Sequence, residues 1–413
     1  MFLLAEASSE VDASATISLF WIAVVAVISP LISRLSRGYI PDAVVLLVLG
    51  MVVGPNMLGW ADSGDVAIIS QMGLGLLFLL AGYELDPKLL GGKPGRVARL
   101  TWLVGLVFAW GAVTLAVSSQ SFSTHVAVAI ALTSTALGTL LPILREAGLL
   151  DTPLGRSVMA HGAVGELGPI LAMSLLLTSR NLPGALLVLV LFGIAAVIIG
   201  VVPQRIVARL PGVRRAVTVM RGGTIQLPVR IVILLLVSLM TVAAVFDLDV
   251  VLGAFAAGLI LRRLIGPEQK AVGSSLEVIG FGVFIPVFFV TSGMGIDIAA
   301  VLGEPGFWAV LVVAIGVARG LPVWFSERYV EHGANLEFGH ERAQLALYAA
   351  TGLPIIVAVT QVAMASDLMS VEVASTLVAA GATTVLLFPM IARLIGARHP
   401  GASDDVSRTE ASM

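Results

Sequence analysis

The stretch that decides the fold is HVAVAIALTSTALGTLLPIL, residues 125–144, an apolar segment with a polar centre. Its length matches the ~20 residues that an α-helix needs to cross a lipid bilayer. Thr133, Ser134 and Thr135 stand in a row near its middle, and Gly138 follows them. Hydroxyl groups can satisfy backbone groups that are released where a membrane helix is interrupted. The segment is therefore predicted to be a broken membrane helix.

A second segment, ALYAATGLPIIVAVTQV at residues 346–362, has the same design. Thr351, Gly352 and Pro354 lie at its centre. Proline removes an amide donor, and glycine loosens the backbone. Gly- or Pro-interrupted helices at corresponding positions in two halves of a chain point to a transport site. Two ordinary kinked helices are the alternative.

The composition places both segments in a membrane protein. Of 413 residues, 58% are hydrophobic and 12% are charged, and mean hydropathy is +1.02. A soluble domain carries about 25% charged residues. Continuous apolar runs favour helices over the alternating pattern of a barrel, so we expect an all-α polytopic membrane protein. The absence of cysteine excludes disulfides and thiolate metal sites, and a net charge of −2 gives no reason to expect a nucleic-acid partner. We expect neither an enzyme nor a resident cofactor.

Thirteen transmembrane helices fit the hydropathy pattern. Twenty-two of the 24 basic residues fall on one side of this arrangement, and the other two are Arg180 and Arg319. Basic loops are cytoplasmic, so we predict an outside N-terminus and an inside C-terminus. Spans four to six then run opposite to spans eleven to thirteen, as in the inverted repeats of many transporters. The predicted spans are 15–33, 40–60, 65–83, 98–118, 124–144, 156–178, 183–203, 228–246, 248–262, 277–296, 306–326, 343–365 and 372–394.

One carboxylate lies deep inside the predicted spans, in SVMAHGAVGELGPI at residues 157–170. A charge at mid-bilayer costs ~2.5 kcal/mol or more, so Glu166 requires an explanation. Three interpretations compete. Glu166 could form a buried ion pair with Arg319, it could be permanently protonated, or it could be a carrier that binds protons and cations in turn. We favour the carrier, because intramembrane carboxylates generally mark ion pathways. Arg319 has two interpretations. It is a fixed positive charge near Glu166, or its long side chain extends to the membrane interface.

Small residues surround Glu166. Gly162, Gly165 and Gly168 form a ridge at i, i+3 and i+6, which would allow a neighbouring backbone to approach closely. Plain helix packing would explain the same glycines. His161 lies five residues before Glu166, a poor spacing for direct contact, and we consider it a candidate for pH tuning or for packing.

Several longer motifs resemble a known family. The chain is similar to the Kef-type members of the cation:proton antiporter-2 family, whose motifs occur in order along nearly the whole chain. The stretches that carry the resemblance are GPNMLGW (54–60), MGLGLLFLLAGYELDP (72–87), ALTSTALGTLLPILREAGLLDTPLGR (131–156), GAFAAGLIL (253–261) and PVFFVTSGMGIDI (286–298).

The resemblance implies an architecture and a mechanism. It implies a sodium/proton antiporter fold with two crossed broken helices, elevator-type movement of a core, a homodimer, and a role in pH homeostasis. The lack of an organellar targeting signal separately predicts a bacterial inner membrane. The resemblance places a dimerisation panel at about 15–96 and 228–300 and a transport core at about 97–180 and 305–396. The segment 181–227 is then a linker helix, with a short amphipathic surface helix expected within 202–230. Since the chain stops about 20 residues after its last predicted span, we expect no cytoplasmic nucleotide-binding domain.

The resemblance also assigns roles to individual residues. The ion-carrying carboxylate of the family falls on Glu166, its basic residue on Arg319, and its hydroxyl-bearing break on Thr133–Thr135. The family usually has aspartate preceded by Asp, Asn or Gln, whereas this chain has glycine at 165 and glutamate at 166. A single carboxylate favours electroneutral exchange of one Na+ or K+ for one proton.

Other functions are compatible with parts of the pattern. An ion-coupled transporter of an organic anion would need basic or amide side chains around the breaks, where only Gln361 and Arg319 are candidates. A passive cation channel would conduct without Glu166. A non-transporting sensor or scaffold would show no uptake at all.

Overall fold

A computed structural model describes residues 2–36, 40–116, 121–177, 182–209, 226–264, 270–329, 336 and 338–398. Over these residues the secondary structure is helical, without strands. The α-helices in chain order are α1 (Phe2–Leu35), α2 (Asp42–Val53), α3 (Ala67–Glu84), α4 (Gly92–Ala116), α5 (Phe122–Leu132), α6 (Leu137–Glu146), α7 (Pro153–Leu176), α8 (Leu182–Arg209), α9 (Gln226–Val245), α10 (Val250–Leu264), α11 (Lys270–Ile279), α12 (Ile285–Met294), α13 (Ile298–Gly303), α14 (Pro305–Ile315), α15 (Leu321–Tyr329), α16 (Gly339–Ala349), α17 (Leu353–Ala365) and α18 (Val371–Ala397).

Within the described residues, eleven helical segments are long and apolar enough to cross a membrane. They correspond to eleven of the thirteen predicted spans. The other two predicted spans coincide with the shorter helices α2, of 12 residues, and α10, of 15 residues. The count of thirteen and the orientation of the N-terminus stay predictions.

Two predicted boundaries need comment. The span expected at 40–60 is too long, because α2 ends at Val53 and Gly54 is extended. Pro55 follows, and a proline pushes the residue before it away from the helical conformation. The predicted linker contains a long helix, α8, up to Arg209. The amphipathic helix expected within 202–230 falls largely on residues 210–225, which lie outside the described residues.

The chain divides into two compact units. Unit 1 comprises Met1–Leu85 and Ile170–Ile298, and unit 2 comprises Asp86–Pro169 and Ala299–Met413. α7 begins in unit 2 and ends in unit 1. The candidate residues from the sequence all belong to unit 2.

Unit 1 is held together by helices that cross at glycines. α3 packs against α10 through Gly82 and Gly258. A Cβ at Gly82 would lie 2.3 Å from the carbonyl oxygen of Phe255, and one at Gly258 would lie 2.0 Å from that of Leu79. Small residues let two membrane helices approach to backbone contact, which is where packing between them is strongest. Alanine at either position would force the two helices apart.

Unit 2 contains the two interrupted helices. The first consists of α5 and α6, separated by Thr133–Ala136, and the second consists of α16 and α17, separated by residues 350–352. Both interruptions lie where the sequence predicted them. Pro354 lies in the first turn of α17, where the missing amide hydrogen removes no helical hydrogen bond.

A π-helical turn, Gly316–Gly320, joins α14 to α15. It lies in the middle of the apolar segment Pro305–Tyr329 and contains Arg319. π-turns occur frequently at functional sites, since the extra residue turns a side chain away from the regular helical positions.

Candidate ion-binding site

The two interrupted helices meet backbone to backbone at their breaks. The amide of Ala136 donates to the carbonyl of Thr351 at 2.8 Å, and Oγ of Ser134 lies 3.3 Å from the carbonyl oxygen of Gly352. A Cβ at Gly352 would lie 2.1 Å from Oγ of Ser134. Only glycine therefore fits at position 352 while the breaks keep this contact.

The hydroxyl groups of the breaks all donate to backbone carbonyls. Each of these side chains is at most 1% exposed. Because each hydroxyl uses its hydrogen on a carbonyl, its oxygen keeps lone pairs that can accept a hydrogen bond or coordinate a cation. The donations run from Thr133 to Ala129 (3.0 Å), from Ser134 to Ala131 (2.8 Å), from Thr351 to Tyr348 (2.7 Å) and from Thr135 to Ala349.

Glu166 lies beside this crossing. The amide of Thr135 donates to the carbonyl of Gly165 at 2.8 Å, which joins α7 to the first break. Glu166 follows immediately and is 3% exposed. A Cβ at Gly165 would lie 2.3 Å from Oγ1 of Thr135 and 2.4 Å from Nη2 of Arg319. The space that a side chain at 165 would fill is thus occupied by a hydroxyl and a guanidinium.

The side chain of Arg319 extends from the π-turn to Thr135 and Gly165. It is 2% exposed, so its head does not extend to the surface of the chain. Its Nε donates to Oγ1 of Thr135 at 3.0 Å, and its Nη2 donates to the carbonyl of His161 at 2.6 Å. The guanidinium therefore links the first break to α7. The head of Arg319 therefore points into unit 2 rather than toward its surface.

Trp102 was not singled out from the sequence, yet it contacts two elements of the site. Its indole Nε1 donates to the carbonyl of Thr133 at 3.2 Å. The ring lies against Gly168, where a Cβ would be 2.7 Å from the nearest ring atom. The glycine at 168 therefore gives clearance for an aromatic ring. A tryptophan inside a predicted span was the only available signal.

Glu327 was also missed. Its Oε1 lies 3.2 Å from Nε2 of His161, and the two side chains are 2% and 3% exposed. The span predicted at 306–326 stops one residue before Glu327 and three residues before the end of α15 at Tyr329. His161 therefore faces a buried carboxylate other than Glu166.

An apolar cavity of about 150 Å³ lies near the first break, within unit 2. Leu132 and Ala318 form part of its wall, together with His125 and Thr124. Gln361 lies in α17, nine residues after Gly352 and hence about 13 Å along the helix axis. Neither feature supplies the cluster of basic or amide groups that an organic anion would need.

Among the residues that the structure describes, no three His, Asp or Glu side chains are grouped as ligands of a metal ion. The crossing of the two broken helices instead brings together hydroxyl and carbonyl oxygens, with Glu166 buried next to the residue that contacts Thr135.

Known proteins provide an independent comparison. The profile of the family "Sodium/hydrogen exchanger, transmembrane" matches residues 22–396. A putative Na+/H+ antiporter of Bacillus subtilis (strain 168), YjbQ, is 23% identical over 76% of this chain and 53% of its own length. A Na+/H+ antiporter of Enterococcus hirae is 26% identical over 73% of this chain and 79% of its own length. The glutathione-regulated potassium-efflux protein KefC of Escherichia coli is 24% identical over 75% of this chain, which spans half of KefC.

A solved structure has the same fold. The sodium proton antiporter MjNhaP1 from Methanocaldococcus jannaschii superposes with a TM-score of 0.62 at 18% identity, over 92% of this chain and 97% of that protein. The family match covers most of the chain and confirms the resemblance found in the sequence. The chain belongs to the transmembrane sodium/hydrogen exchanger family, a family of transporters rather than enzymes.

Proposed function

We propose that this protein is a secondary antiporter that exchanges a monovalent cation, Na+ or K+, for a proton, with Glu166 as the shared binding group. The observation that carries the proposal is the position of Glu166, buried in the chain and directly after the residue that joins α7 to the first break. The names of relatives as Na+/H+, Na+/H+-K+ and potassium-efflux proteins support it.

The cation binds to oxygens of the crossing. The hydroxyls of Thr133, Ser134 and Thr135 point their hydrogens at carbonyls, so their lone pairs are oriented away from those carbonyls. Together with the carboxylate of Glu166 they form a ligand set for a hard monovalent ion. The second break, at Thr351, Gly352 and Pro354, closes the site from the opposite side.

Arg319 competes with the cation. Its Nε already occupies Oγ1 of Thr135, and an arriving cation must displace that contact. When the cation leaves, the guanidinium returns and compensates the negative charge of Glu166. The cation and the arginine therefore alternate as partners of one hydroxyl and one carboxylate.

Exchange follows from competition at a single group. Glu166 is neutralised by either a proton or a cation, and one carboxylate favours one-for-one, electroneutral exchange. A ligand shifts a conformational equilibrium only through differential affinity, so the bare anion must resist the change of access. We propose elevator-type movement of the core, residues 97–180 and 305–396, in a homodimer in the bacterial inner membrane.

The experiment is a dye-monitored pH change in proteoliposomes, scanned over Na+, K+ and Li+. Glu166→Gln should abolish cation-driven proton movement, because the neutral amide takes up no proton and cannot offset the charge of a bound cation, so the two ions no longer compete for one group. Glu304→Gln is the control, since Glu304 is an exposed carboxylate at the start of α14. Unaltered exchange by Glu166→Gln would remove the carrier role, and conductive cation flux in that variant would point to a channel instead.

A further inference from the structure

A buried acid–base pair, His161 and Glu327, lies in unit 2, and its two side chains have no part in the exchange scheme above. The imidazole Nε2 and the carboxylate Oε1 are 3.2 Å apart, and the side chains are 3% and 2% exposed. Burying two ionisable groups away from water costs several kcal/mol unless their charges cancel.

The pair is neutral overall only when it holds one proton. That proton lies on the imidazole, as an ion pair, or on the carboxylate, as a neutral hydrogen bond. With no proton the pair has a charge of −1, and with two protons it has a charge of +1. Burial favours the one-proton state over both others. The pair is thus a proton-binding unit rather than two separate side chains, and its protonation steps belong to both residues together.

The pair is mechanically connected to the candidate site through Arg319. Nη2 of Arg319 donates to the backbone carbonyl of His161, and Nε donates to Thr135. Glu327 lies on α15, the helix that continues directly from the turn carrying Arg319. The His161–Glu327 contact therefore joins α7 to the helix of Arg319 at a point about 7.5 Å along α7 from Glu166.

Two buried charges dominate the surroundings of the pair, Glu166 and Arg319. Helices α4 and α16 pack against α15. Apart from the buried phenol of Tyr348, the other ionisable side chains that the structure describes on these helices are exposed or half-exposed and are screened by solvent. These groups on α4, α6, α7, α15 and α16 are Lys93, Arg96, Arg99, Arg145, Arg156, Arg328, Tyr329, His340, Glu341 and Arg342.

We propose that His161 and Glu327 form a second proton-binding site, which controls the pH dependence of exchange by changing how strongly Arg319 competes for the cation site. This proposal rests on the antiport function proposed above. When the pair loses its proton, its negative charge attracts the Arg319 guanidinium. Arg319 then competes less for Thr135 and Glu166, and the cation binds more readily. Rising pH therefore increases cation affinity by two routes, through Glu166 itself and through the pair.

The test is the steepness of the pH dependence in proteoliposomes. The double variant His161→Gln with Glu327→Gln retains a hydrogen-bonding pair but binds no proton. The pH profile of its exchange rate should fit the titration of a single group. The profile of the wild type should be steeper, because more than one group titrates. The pH of half-maximal rate should move by about one unit, comparable to the ordinary spread of histidine pKa values. His125→Gln is the control, because His125 is also buried in unit 2 but lines the apolar cavity.

A second measurement separates this inference from the antiport proposal. Proton uptake by purified protein after a pH jump is recorded for Glu166→Gln, with and without the double change at 161 and 327. Loss of uptake on adding the double change supports the second site even if no variant exchanges cations. Equal uptake, or an unchanged pH profile in a folded double variant, would overturn the inference.

Discussion

The substitution Gly165→Ala adds only one methyl group, yet it should strongly impair ion binding at the candidate site. The added Cβ would lie 2.3 Å from Oγ1 of Thr135, 2.4 Å from Nη2 of Arg319 and 2.7 Å from Cβ of Thr135. Ordinary van der Waals contact begins at 3.4 Å, so the hydroxyl and the guanidinium must each move by about 1 Å.

Neither group is free to move by that amount. The Thr135 hydroxyl is held by the Ala349 carbonyl and accepts from Arg319 at 3.0 Å, and Arg319 is also held by the His161 carbonyl at 2.6 Å. Overpacking costs ~1–3 kcal/mol and a weakened charge-assisted hydrogen bond adds ~1.5 kcal/mol or more. We therefore expect ~2.5–4.5 kcal/mol of destabilisation at the site. Because the displaced Thr135 hydroxyl is itself a proposed ligand of the cation, this corresponds to at least a tenfold loss of cation affinity or transport rate.

Two glycines provide controls for this substitution. The three atoms nearest to a Cβ at Gly162 all belong to the branched end of Leu137, which can change rotamer, and a Cβ at Gly111 meets nothing within 4 Å. The cation concentration for half-maximal exchange in proteoliposomes and Tm in detergent are measured for all three alanine variants. Gly162→Ala should lower Tm but leave the cation dependence close to the wild type, and Gly111→Ala should change neither. If Gly165→Ala and Gly162→Ala have the same cation dependence, the close packing of Thr135 and Arg319 does not control ion binding.

Two further predictions concern the same crossing. Gly352→Ala would place a Cβ 2.1 Å from Oγ and 2.7 Å from the carbonyl oxygen of Ser134. We therefore expect the two breaks to separate, with a lower Tm and loss of exchange. A wild-type Tm would contradict this contact. Arg319→Ala leaves the Thr135 hydroxyl and the His161 carbonyl without their buried donor, which should cost about 3 kcal/mol in the free energy of unfolding. It should also shift the pH profile of exchange, and an unmoved profile measured across pH would exclude Arg319 as a competitor of the cation.

Much of the architecture could be read from local sequence. Apolar runs identified every helix long enough to span a membrane in the described residues, because a bilayer requires ~20 apolar residues whatever the neighbours are. The interruptions at Thr133–Ala136 and before Pro354 were predictable because proline and clustered hydroxyls act within one turn. The boundary at Val53 was misjudged, although the signal was local, since Pro55 determines the conformation of Gly54.

The partners of the candidate residues depended on the tertiary structure. The sequence identified Glu166 and Arg319 as deep charges, but not that Arg319 donates to Thr135 and to the His161 backbone. It gave no reason to pair His161 with Glu327, which lies 166 residues away on another helix. Hydropathy measures the solvent that a segment prefers and depends only on nearby residues. Contacts between segments depend on which helix faces pack together, and here those faces were set by glycines whose missing side chains leave room for Thr135, Arg319 and Trp102.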